Sequence, residues 1–341
     1  MRAVIHAGMH KTGTTSIQMT LQSNAPKGVY VPDSGPGGGQ NGLMVLLFEG
    51  GVPPGLSKFA PGAPEVLQRK AKTEDTLRQN LTDPAYHTTV FSAERLVTSP
   101  LPAVQRLRDF YAAYCDEIQV ILYVRPPVGF MTSAMQEMIK RNPKKLKFHF
   151  PPYRNAIHKL DTVFGRENVL LKKFDIAALK DNDVLTDFFD TAGLDLPKTD
   201  YVRANEGLSL EAFCLLYTQR ILNNEPVDGS TRMSGRNMAF VNKVAQIGTG
   251  KLAFDPSLTD PVIEANRDEL KWVENRLGTT LDDAPRKPGL RTVASEDDIF
   301  AIAAENVSAL EEVLISELRA EGGASKDRLL RNLDLLNRLC G

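Results

Sequence analysis

The fold is decided near the N-terminus by the stretch AVIHAGMHKTGTTSIQ, residues 3–18. Its first five residues form an apolar run that ends at Gly8, which predicts a short strand. The segment from Thr15 to Leu21 has the composition of a helix. The order of strand, tight loop and helix predicts the opening unit of an α/β fold.

The loop at residues 8–15 carries residue types that bind anions. A helix N-terminus presents unpaired backbone N–H groups and a partial positive charge. Here Gly13 lets the backbone approach a ligand, Lys11 adds a full charge, and Thr14 and Thr15 offer hydroxyls. The loop therefore predicts a phosphate-binding site. Because the lysine precedes the glycine, the order is not that of a Walker A loop, which counts against a phosphotransferase that uses ATP and magnesium.

Strands and helices alternate through the first 192 residues. The β-branched run at 118–124 is typical of a strand that is buried on both faces. It ends in Arg125, where an NTPase often has a metal-binding Asp. Further strands are predicted at 88–92 and 168–174, and helices at 65–81, 101–114, 127–140 and 184–192. This alternation predicts a P-loop-like, doubly wound parallel sheet flanked by helices.

Two parts of the chain depart from this alternation. Residues 26–64 hold ten Gly and seven Pro in 39 positions, so we expect no regular structure there, and interpret the segment either as a surface excursion or as a lid. After Ser209 only helices are predicted, at 209–222, 234–247, 261–277 (with Asp260 as N-cap), 299–318 and 326–339. We therefore expect an α/β domain at 1–280 and a helical C-terminal extension at 281–341 that packs on the core, a dimer interface being the alternative.

Composition and charge limit the class of protein. Lys and Arg number 41 and Asp and Glu number 42, so the net charge is -1 and no overall basic field is present to hold nucleic acid. The three cysteines are far apart and form no CxxC pair, which argues against a disulfide scaffold or a zinc site. Apolar runs such as 42–48 are far shorter than the roughly 20 residues of a membrane span, and the N-terminal run is too short for a signal peptide. We expect a cytoplasmic protein with no membrane span and no nucleic-acid partner.

Two motifs resemble a known family. The run His10-Lys11-Thr12-Gly13-Thr14-Thr15-Ser16-Ile17-Gln18 is similar to the phosphosulfate-binding loop of the sulfotransferases that use 3′-phosphoadenosine 5′-phosphosulfate (PAPS), in particular of their bacterial branch. Members of this family also have an Arg that closes a central strand and a Ser eight positions later, which correspond to Arg125 and Ser133. Looser similarity is present in FGRENV at 164–169 and NEGLS at 205–209, so the resemblance covers roughly residues 1–280.

The resemblance implies a donor site and an activity. The 5′-phosphosulfate of PAPS is expected to bind Lys11, Thr12, Gly13, Thr14, Thr15 and Ser16, and its 3′-phosphate to bind Arg125 and Ser133. Lys11 is also implied as the group that stabilises charge on the bridging oxygen as the sulfuryl group leaves. The implied reaction is in-line transfer of a sulfuryl group to a hydroxyl, which we expect to belong to a carbohydrate, with no metal required.

The sequence leaves the general base open. Glu94 directly follows a predicted strand, at the edge where such sheets bind ligands, and Ser92-Ala93-Glu94 resembles an SxE segment of the bacterial branch. The alternative is a Glu that starts a helix or forms a surface pair with Arg95. His10 borders the loop and either transfers the proton or only shapes the loop.

A third place for a base is the Gly-rich segment after the first helix. Related bacterial chains often have a histidine there, whereas this chain has Gly39-Gln40-Asn41, in which no side chain can act as a base. A non-catalytic protein that binds the donor nucleotide, or a scaffold, therefore remains the alternative function. An ATP-dependent phosphotransferase is the less favoured alternative.

A basic run is a candidate site for the acceptor. Lys140, Arg141, Lys144, Lys145 and Lys147 lie within eight positions that contain no acidic residue. Such a run is either a solvated face or a docking strip for an anionic acceptor, such as an acidic or sulfated polysaccharide. Five charges are too few to favour a nucleic-acid site.

Overall fold

The computed structural model describes residues 1–9, 11–33, 39–141, 145–204, 207–222, 235–285, 288–320 and 333. The chain forms two compact units. The first comprises Met1–Ala134, Phe148–Glu206 and Ser257–Lys287, and the second comprises Met135–Lys147, Gly207–Pro256 and Pro288–Gly341. The predicted division into residues 1–280 and 281–341 follows motifs rather than compactness and stays a prediction.

The first unit is built on a five-stranded parallel sheet. Its strands are β1 (Arg2–His6), β2 (Val29–Tyr30), β3 (Thr88–Ser92), β4 (Glu117–Val124) and β5 (Val169–Lys173). They lie in the order β2-β3-β1-β4-β5, and every pairing is parallel. The register places His6 opposite Ser92 on β3 and opposite Ile121 on β4, so the carboxyl ends of the strands share one edge. The predicted α/β fold with a parallel sheet is confirmed.

Thirteen α-helices are assigned in the described part of the chain. In chain order they are α1 (Thr14–Ser23), α2 (Asn41–Leu43), α3 (Pro64–Thr82), α4 (Leu101–Ala112), α5 (Pro127–Lys140), α6 (Tyr153–Phe164), α7 (Val184–Thr191), α8 (Leu210–Leu222), α9 (Gly235–Val244), α10 (Pro256–Glu264), α11 (Arg267–Leu277), α12 (Glu296–Glu305) and α13 (Val307–Ala320). A π-helix, Met44–Glu49, continues α2. Short 3₁₀ helices are Pro54–Leu56, Glu94–Val97, Arg166–Asn168, Ile176–Ala178, Lys180–Asn182 and Lys198–Asp200.

The sheet is buried on both faces because successive residues of a strand point to opposite sides. On β1, Val4 lies in an apolar cluster with Ile17 of α1 and Phe188 of α7. Ile5, its neighbour, lies in the cluster on the other face, which includes residues of α4 and α6. Helical layers on both faces are the doubly wound arrangement that the sequence predicts.

The Gly/Pro-rich segment is more regular than we expected. It contains β2, α2 and the π-helix, and Leu43, Met44 and Phe48 of this stretch are buried in the core. The expectation of no regular structure in residues 26–64 is therefore wrong. The reason is the run LMVLLF at 43–48, which has neither Gly nor Pro. Burial of its apolar side chains stabilises the folded segment by more free energy than the flanking Gly and Pro residues cost. Residues 34–38 lie outside the described part of the chain.

Two helices that the sequence predicts as single elements are each divided. The helix expected at 261–277 is instead α10 and α11, and Pro261, expected at the start, lies inside α10. The helix expected at 299–318 is α12 and α13, separated at Asn306, whose side-chain Nδ2 donates to the carbonyl of Ile302. Apolar periodicity continues across such a break, so it does not reveal the break. Helix α6 was not predicted, and the last predicted helix, 326–339, lies outside the described residues apart from Leu333.

The second unit is helical in its described part. In this unit α8 packs against α12, and the hydroxyl of Tyr217 donates to Glu296 Oε1 at 2.6 Å. The buried Arg220 of α8 donates to the carbonyl of Ile139 at 3.3 Å and to Asn237 Oδ1 at 2.5 Å. In the part of the chain that the structure describes, no helix is both long and apolar enough to cross a membrane.

Candidate functional site

The loop after β1 is held in shape by its own side chains. Thr12 is fully buried, and its hydroxyl donates to the carbonyl of Met9 at 2.8 Å. The Oγ1 atoms of Thr12 and Thr14, which is also buried, lie 3.4 Å apart. Gly8 leaves room for Thr14, because a Cβ at Gly8 would lie 2.1 Å from Thr14 Oγ1. Both threonines thus shape the loop from inside, and their predicted contacts with a ligand stay predictions.

The loop enters α1 through a glycine that no other residue replaces without strain. Gly13 is the N-cap of α1 and has φ 75°, a left-handed conformation that L residues rarely adopt. A Cβ at this position would lie 2.6 Å from Cγ1 of Val184 at the start of α7. Lys11, with φ 67°, shares the left-handed conformation. The glycine at position 13 is therefore required by backbone conformation and by packing against Val184.

The N-terminus of α1 keeps its capacity for an anion. Within the described residues no side chain caps this helix, and its first turn has no acidic residue. Thr15 is exposed, and the half-buried Ser16 accepts a hydrogen bond at Oγ from the N–H of Ala204 at 2.9 Å. Backbone N–H groups at such a terminus, together with the partial positive charge of the helix, attract negative ligands.

Arg125 lies against the same loop. It directly follows β4, and its Nη1 donates to the carbonyl oxygen of Lys11, 114 positions away in the sequence. Its guanidinium lies over the ring of Phe174, 5.6 Å from the ring centroid. Burial lowers the pKa of Arg125, although an arginine stays charged at neutral pH. Two motifs that are remote in sequence are thus in direct contact, and Ser133, the other predicted phosphate ligand, is buried in α5.

Two residues beside Arg125 were missed by the sequence analysis. Tyr153, at the start of α6, donates its hydroxyl to the carbonyl of Arg125 at 2.5 Å. Asp283 follows α11, and its carboxylate accepts hydrogen bonds from the N–H groups of Val128 at 2.9 Å and Gly129 at 2.7 Å. Burial raises the pKa of Asp283, while these hydrogen bonds and Arg125 act in the opposite direction. Asp283 belongs to no motif, and only the fold reveals its contacts.

Glu94 begins a 3₁₀ helix immediately after β3, at the same edge of the sheet. The end of β3 is fixed by Gln40, whose N–H donates to the carbonyl of Ser92 at 2.9 Å and whose Oε1 accepts from the N–H of Ser92 at 2.7 Å. Arg95 is held by a bidentate pair with Glu49, with both N–O distances 2.7 Å. The Gly/Pro-rich segment therefore positions the residues on either side of Glu94. The role of Glu94 as a base stays a prediction.

His6, at the end of β1, lies near this edge and was not predicted as a site residue. It ends β1, is fully buried, and has Nδ1 2.8 Å from Ser92 Oγ. Its Nε2 has no hydrogen-bond partner among the described residues. Burial lowers the pKa of His6 to about 3, so the ring is neutral at physiological pH. His10, the predicted catalytic histidine, lies outside the described residues.

The remaining sequence predictions concern metals and the acceptor. Groups of three or more His, Cys, Asp or Glu that could hold a metal are absent from the described residues. The basic run belongs to the second unit, where Lys140 pairs with Glu137 at 2.7 Å and Lys145 and Lys147 are exposed. Lys144 lies outside the described part of the chain.

No protein-family model and no curated protein matches the chain. Among solved structures, it is similar to a sulfotransferase from Alicyclobacillus acidocaldarius, at 16% identity and a TM-score of 0.36, over 70% of this chain and 95% of that one. It is also similar to the sulfotransferase domain of the olefin synthase from Synechococcus PCC 7002, at 16% identity and a TM-score of 0.33, over 90% of this chain and 94% of that one.

Proposed function

We propose that the chain is a sulfotransferase that moves a sulfuryl group from PAPS to an acceptor hydroxyl by in-line displacement. The contact between Arg125 and the carbonyl of Lys11 is the observation that carries this proposal. PAPS has anionic groups at the 3′ and 5′ positions of one ribose, so it needs two anion sites close together. The N-terminus of α1 and the Arg125 guanidinium provide such a pair at one edge of the sheet.

The residues present fit the 5′ side of the donor. The N-terminus of α1 has no side-chain cap in the described structure, Thr15 is exposed beside it, and Lys11 adds a positive charge. Gly13 and Ser16 contribute backbone N–H groups at this turn. In this proposal Thr12 and Thr14 act mainly by fixing the loop, because both are buried.

In this proposal the 3′-phosphate of the donor binds Arg125 and Ser133. The planar fork of an arginine forms charge-assisted bonds with phosphate oxygens, and it discriminates a phosphate from a hydroxyl. Tyr153 supports this site by fixing the backbone of Arg125 through its carbonyl oxygen. The same arginine is the reason that an ATP-dependent phosphotransferase is the weaker candidate, since ATP has no 3′-phosphate.

In the proposed reaction, PAPS supplies a sulfuryl group activated by its bond to the 5′-phosphate. Glu94 accepts the proton of the acceptor hydroxyl, whose oxygen forms the new S–O bond. Lys11 neutralises the charge that develops on the bridging oxygen as the old S–O bond breaks and 3′,5′-ADP leaves. His10 is the other candidate for the proton, and the reaction needs no metal.

For the acceptor we propose a carbohydrate hydroxyl, with the exposed Lys145 and Lys147 attracting an anionic sugar chain. We further propose that the protein is cytoplasmic and that residues 281–341 form a helical extension of the core or a dimer interface.

The second candidate function is a non-catalytic protein that binds PAPS. It is supported by Gln40, which lies in the Gly-rich segment, cannot act as a base, and forms two hydrogen bonds with the backbone of Ser92.

Labelled sulfuryl transfer tests this proposal. The full chain is incubated with [35S]PAPS and with pools of neutral oligosaccharides, acidic oligosaccharides and phenols, and label on the acceptor is measured together with 3′,5′-ADP. Lys11→Met is expected to lose turnover by roughly 100-fold or more while it still binds 3′,5′-ADP. Lys72→Met removes an exposed lysine from α3 and is the matched control. Binding of 3′,5′-ADP without turnover on any pool would reject the transferase in favour of the non-catalytic alternative.

A further inference from the structure

Asp283 places its negative charge at the position where, in the proposed function, the negatively charged 3′-phosphate of the donor binds. Both of its carboxylate oxygens accept backbone N–H groups in the first turn of α5, at 2.9 Å from Val128 and 2.7 Å from Gly129. A Cβ built on Gly129 would lie 3.1 Å from Asp283 Oδ1 and 3.1 Å from Arg125 Nε. These two atoms are therefore no more than 6.2 Å apart, twice 3.1 Å.

The carboxylate has the partners that a bound phosphate would use. It accepts hydrogen bonds from the N–H groups at a helix N-terminus, and it is attracted by the positive charges of Arg125 and Lys173. The two helix N-termini at this edge of the sheet thus differ, because in the described residues α1 has no side-chain cap whereas α5 is capped by an anion of the chain itself.

We propose that Asp283 is an internal competitor for the 3′-phosphate: without ligand it occupies the N-terminus of α5 and screens Arg125, and the 3′-phosphate of the donor displaces it. This inference rests on the proposed function. A phosphate dianion has more charge and more acceptor oxygens than a carboxylate, so it prevails in the exchange. The exchange lowers the apparent affinity, because part of the binding free energy is spent on the displacement.

The position of Asp283 in the chain allows this exchange. It lies two residues beyond the buried Leu281, whose N–H donates to Glu274 Oε1 at 2.9 Å. The stretch from Leu281 to Pro285 has neither helix nor strand. The carboxylate can therefore move away from α5 while Leu281 stays anchored and no regular element unfolds.

Titration of two nucleotides tests the proposal. The probes are 3′,5′-ADP and 5′-AMP, which lacks the 3′-phosphate, and the proteins are wild type, Asp283→Asn and Asp282→Asn. Asp282 is the exposed neighbour, so its variant removes the same charge without touching α5. Asp283→Asn is expected to bind 3′,5′-ADP about tenfold more tightly than wild type and 5′-AMP equally well, while Asp282→Asn resembles wild type.

The outcomes separate this inference from the function on which it rests. If wild type prefers 3′,5′-ADP to 5′-AMP and Asp283→Asn gains nothing, Asp283 is a helix cap only and the inference is wrong while the proposed function stands. If neither wild type nor Asp283→Asn prefers 3′,5′-ADP to 5′-AMP, the inference and the proposed function are both wrong. Asp283→Ser guards against a folding defect, since serine caps a helix N-terminus without a charge, and it is expected to show the same gain.

Discussion

At the scale of single residues, His6 shows how burial fixes the charge of a side chain. The His6 ring is close to the aromatic rings of Phe188 and Tyr123, whose centroids are 5.1 Å and 6.2 Å from its own, and its Nδ1 is 2.8 Å from Ser92 Oγ. No carboxylate is among these neighbours to stabilise an imidazolium, so burial lowers the pKa of His6 to about 3.

We predict that His6 makes the protein less stable as the pH falls below 6.5. In that range the unfolded chain takes up a proton that the folded chain does not bind until the pH reaches about 3. The free energy of unfolding therefore drops with a slope that approaches about 1.4 kcal/mol per pH unit below pH 6, and the loss between pH 6.5 and pH 5 is about 1.6 kcal/mol.

Urea unfolding at pH 7, 6 and 5 measures this effect. His6→Gln is expected to be less stable at pH 7 and to have a flatter dependence on pH than wild type. His158→Gln, which removes an exposed histidine from α6, is the control and is expected to keep the wild-type slope. Equal slopes for wild type and His6→Gln would show that His6 is protonated in the folded protein.

Gly13 gives a second prediction at this scale. Gly13→Ala places a methyl group against Val184 and forces an alanine into φ 75°, so we expect a loss of about 1–3 kcal/mol in stability and weaker binding of 3′,5′-ADP. Gly62→Ala is the control, because a Cβ there meets nothing within 4 Å. Thermal melting with and without 3′,5′-ADP measures both effects, and an unchanged Gly13→Ala protein would contradict the geometry of the loop.

At the scale of elements, the Gly/Pro-rich segment acts as a brace for the end of β3. Gln40 supplies the hydrogen bonds that a neighbouring strand would otherwise give to Ser92, and its Nε2 also donates to the carbonyl of Pro32 at 2.9 Å. Because Glu94 lies two residues beyond Ser92, the brace sets the position of the proposed base.

We predict that Gln40→Ala costs about 1–3 kcal/mol, because it leaves the buried N–H of Ser92 without a partner. Gln22→Ala is the matched control, since Gln22 donates to the same Pro32 carbonyl at 2.9 Å but is only half-buried. Amide hydrogen exchange at Ser92 is expected to accelerate in Gln40→Ala alone. Equal exchange rates in the two variants would mean that the segment does not brace β3.

Elements with strong local patterns could be predicted from the sequence, and those set by tertiary contacts could not. The β-branched run of β4 and the proline at the start of α5 gave those elements nearly to the residue. The break between α12 and α13 falls inside continuous apolar periodicity, and α2 with its π-helix is flanked on both sides by Gly and Pro residues. In the case of α2 and its π-helix, burial of Leu43, Met44 and Phe48 in the core decides the outcome, and local sequence patterns do not reveal that burial.

At the scale of the whole molecule, the net charge of -1 means that any anion affinity is local. The groups of the candidate site that can bind an anion, the N-terminus of α1 and Arg125, lie at the carboxyl edge of the sheet in the first unit. The loop and Arg125 could be predicted because each belongs to a recognisable motif. Tyr153 and Asp283 could not, because they come from separate segments and reach Arg125 only in the folded chain.

The central claim is that two anion anchors, the N-terminus of α1 and Arg125, hold one nucleotide with phosphates at both ends of its ribose. Calorimetric titration with 3′,5′-ADP and with ATP-magnesium, on wild type, Arg125→Ala and Arg125→Lys, tests it most directly. We predict selective binding of 3′,5′-ADP, a loss of about 2 kcal/mol in Arg125→Ala and a smaller loss in Arg125→Lys, which keeps the charge but not the fork. Equal or tighter binding of ATP-magnesium that ignores both substitutions would contradict the account.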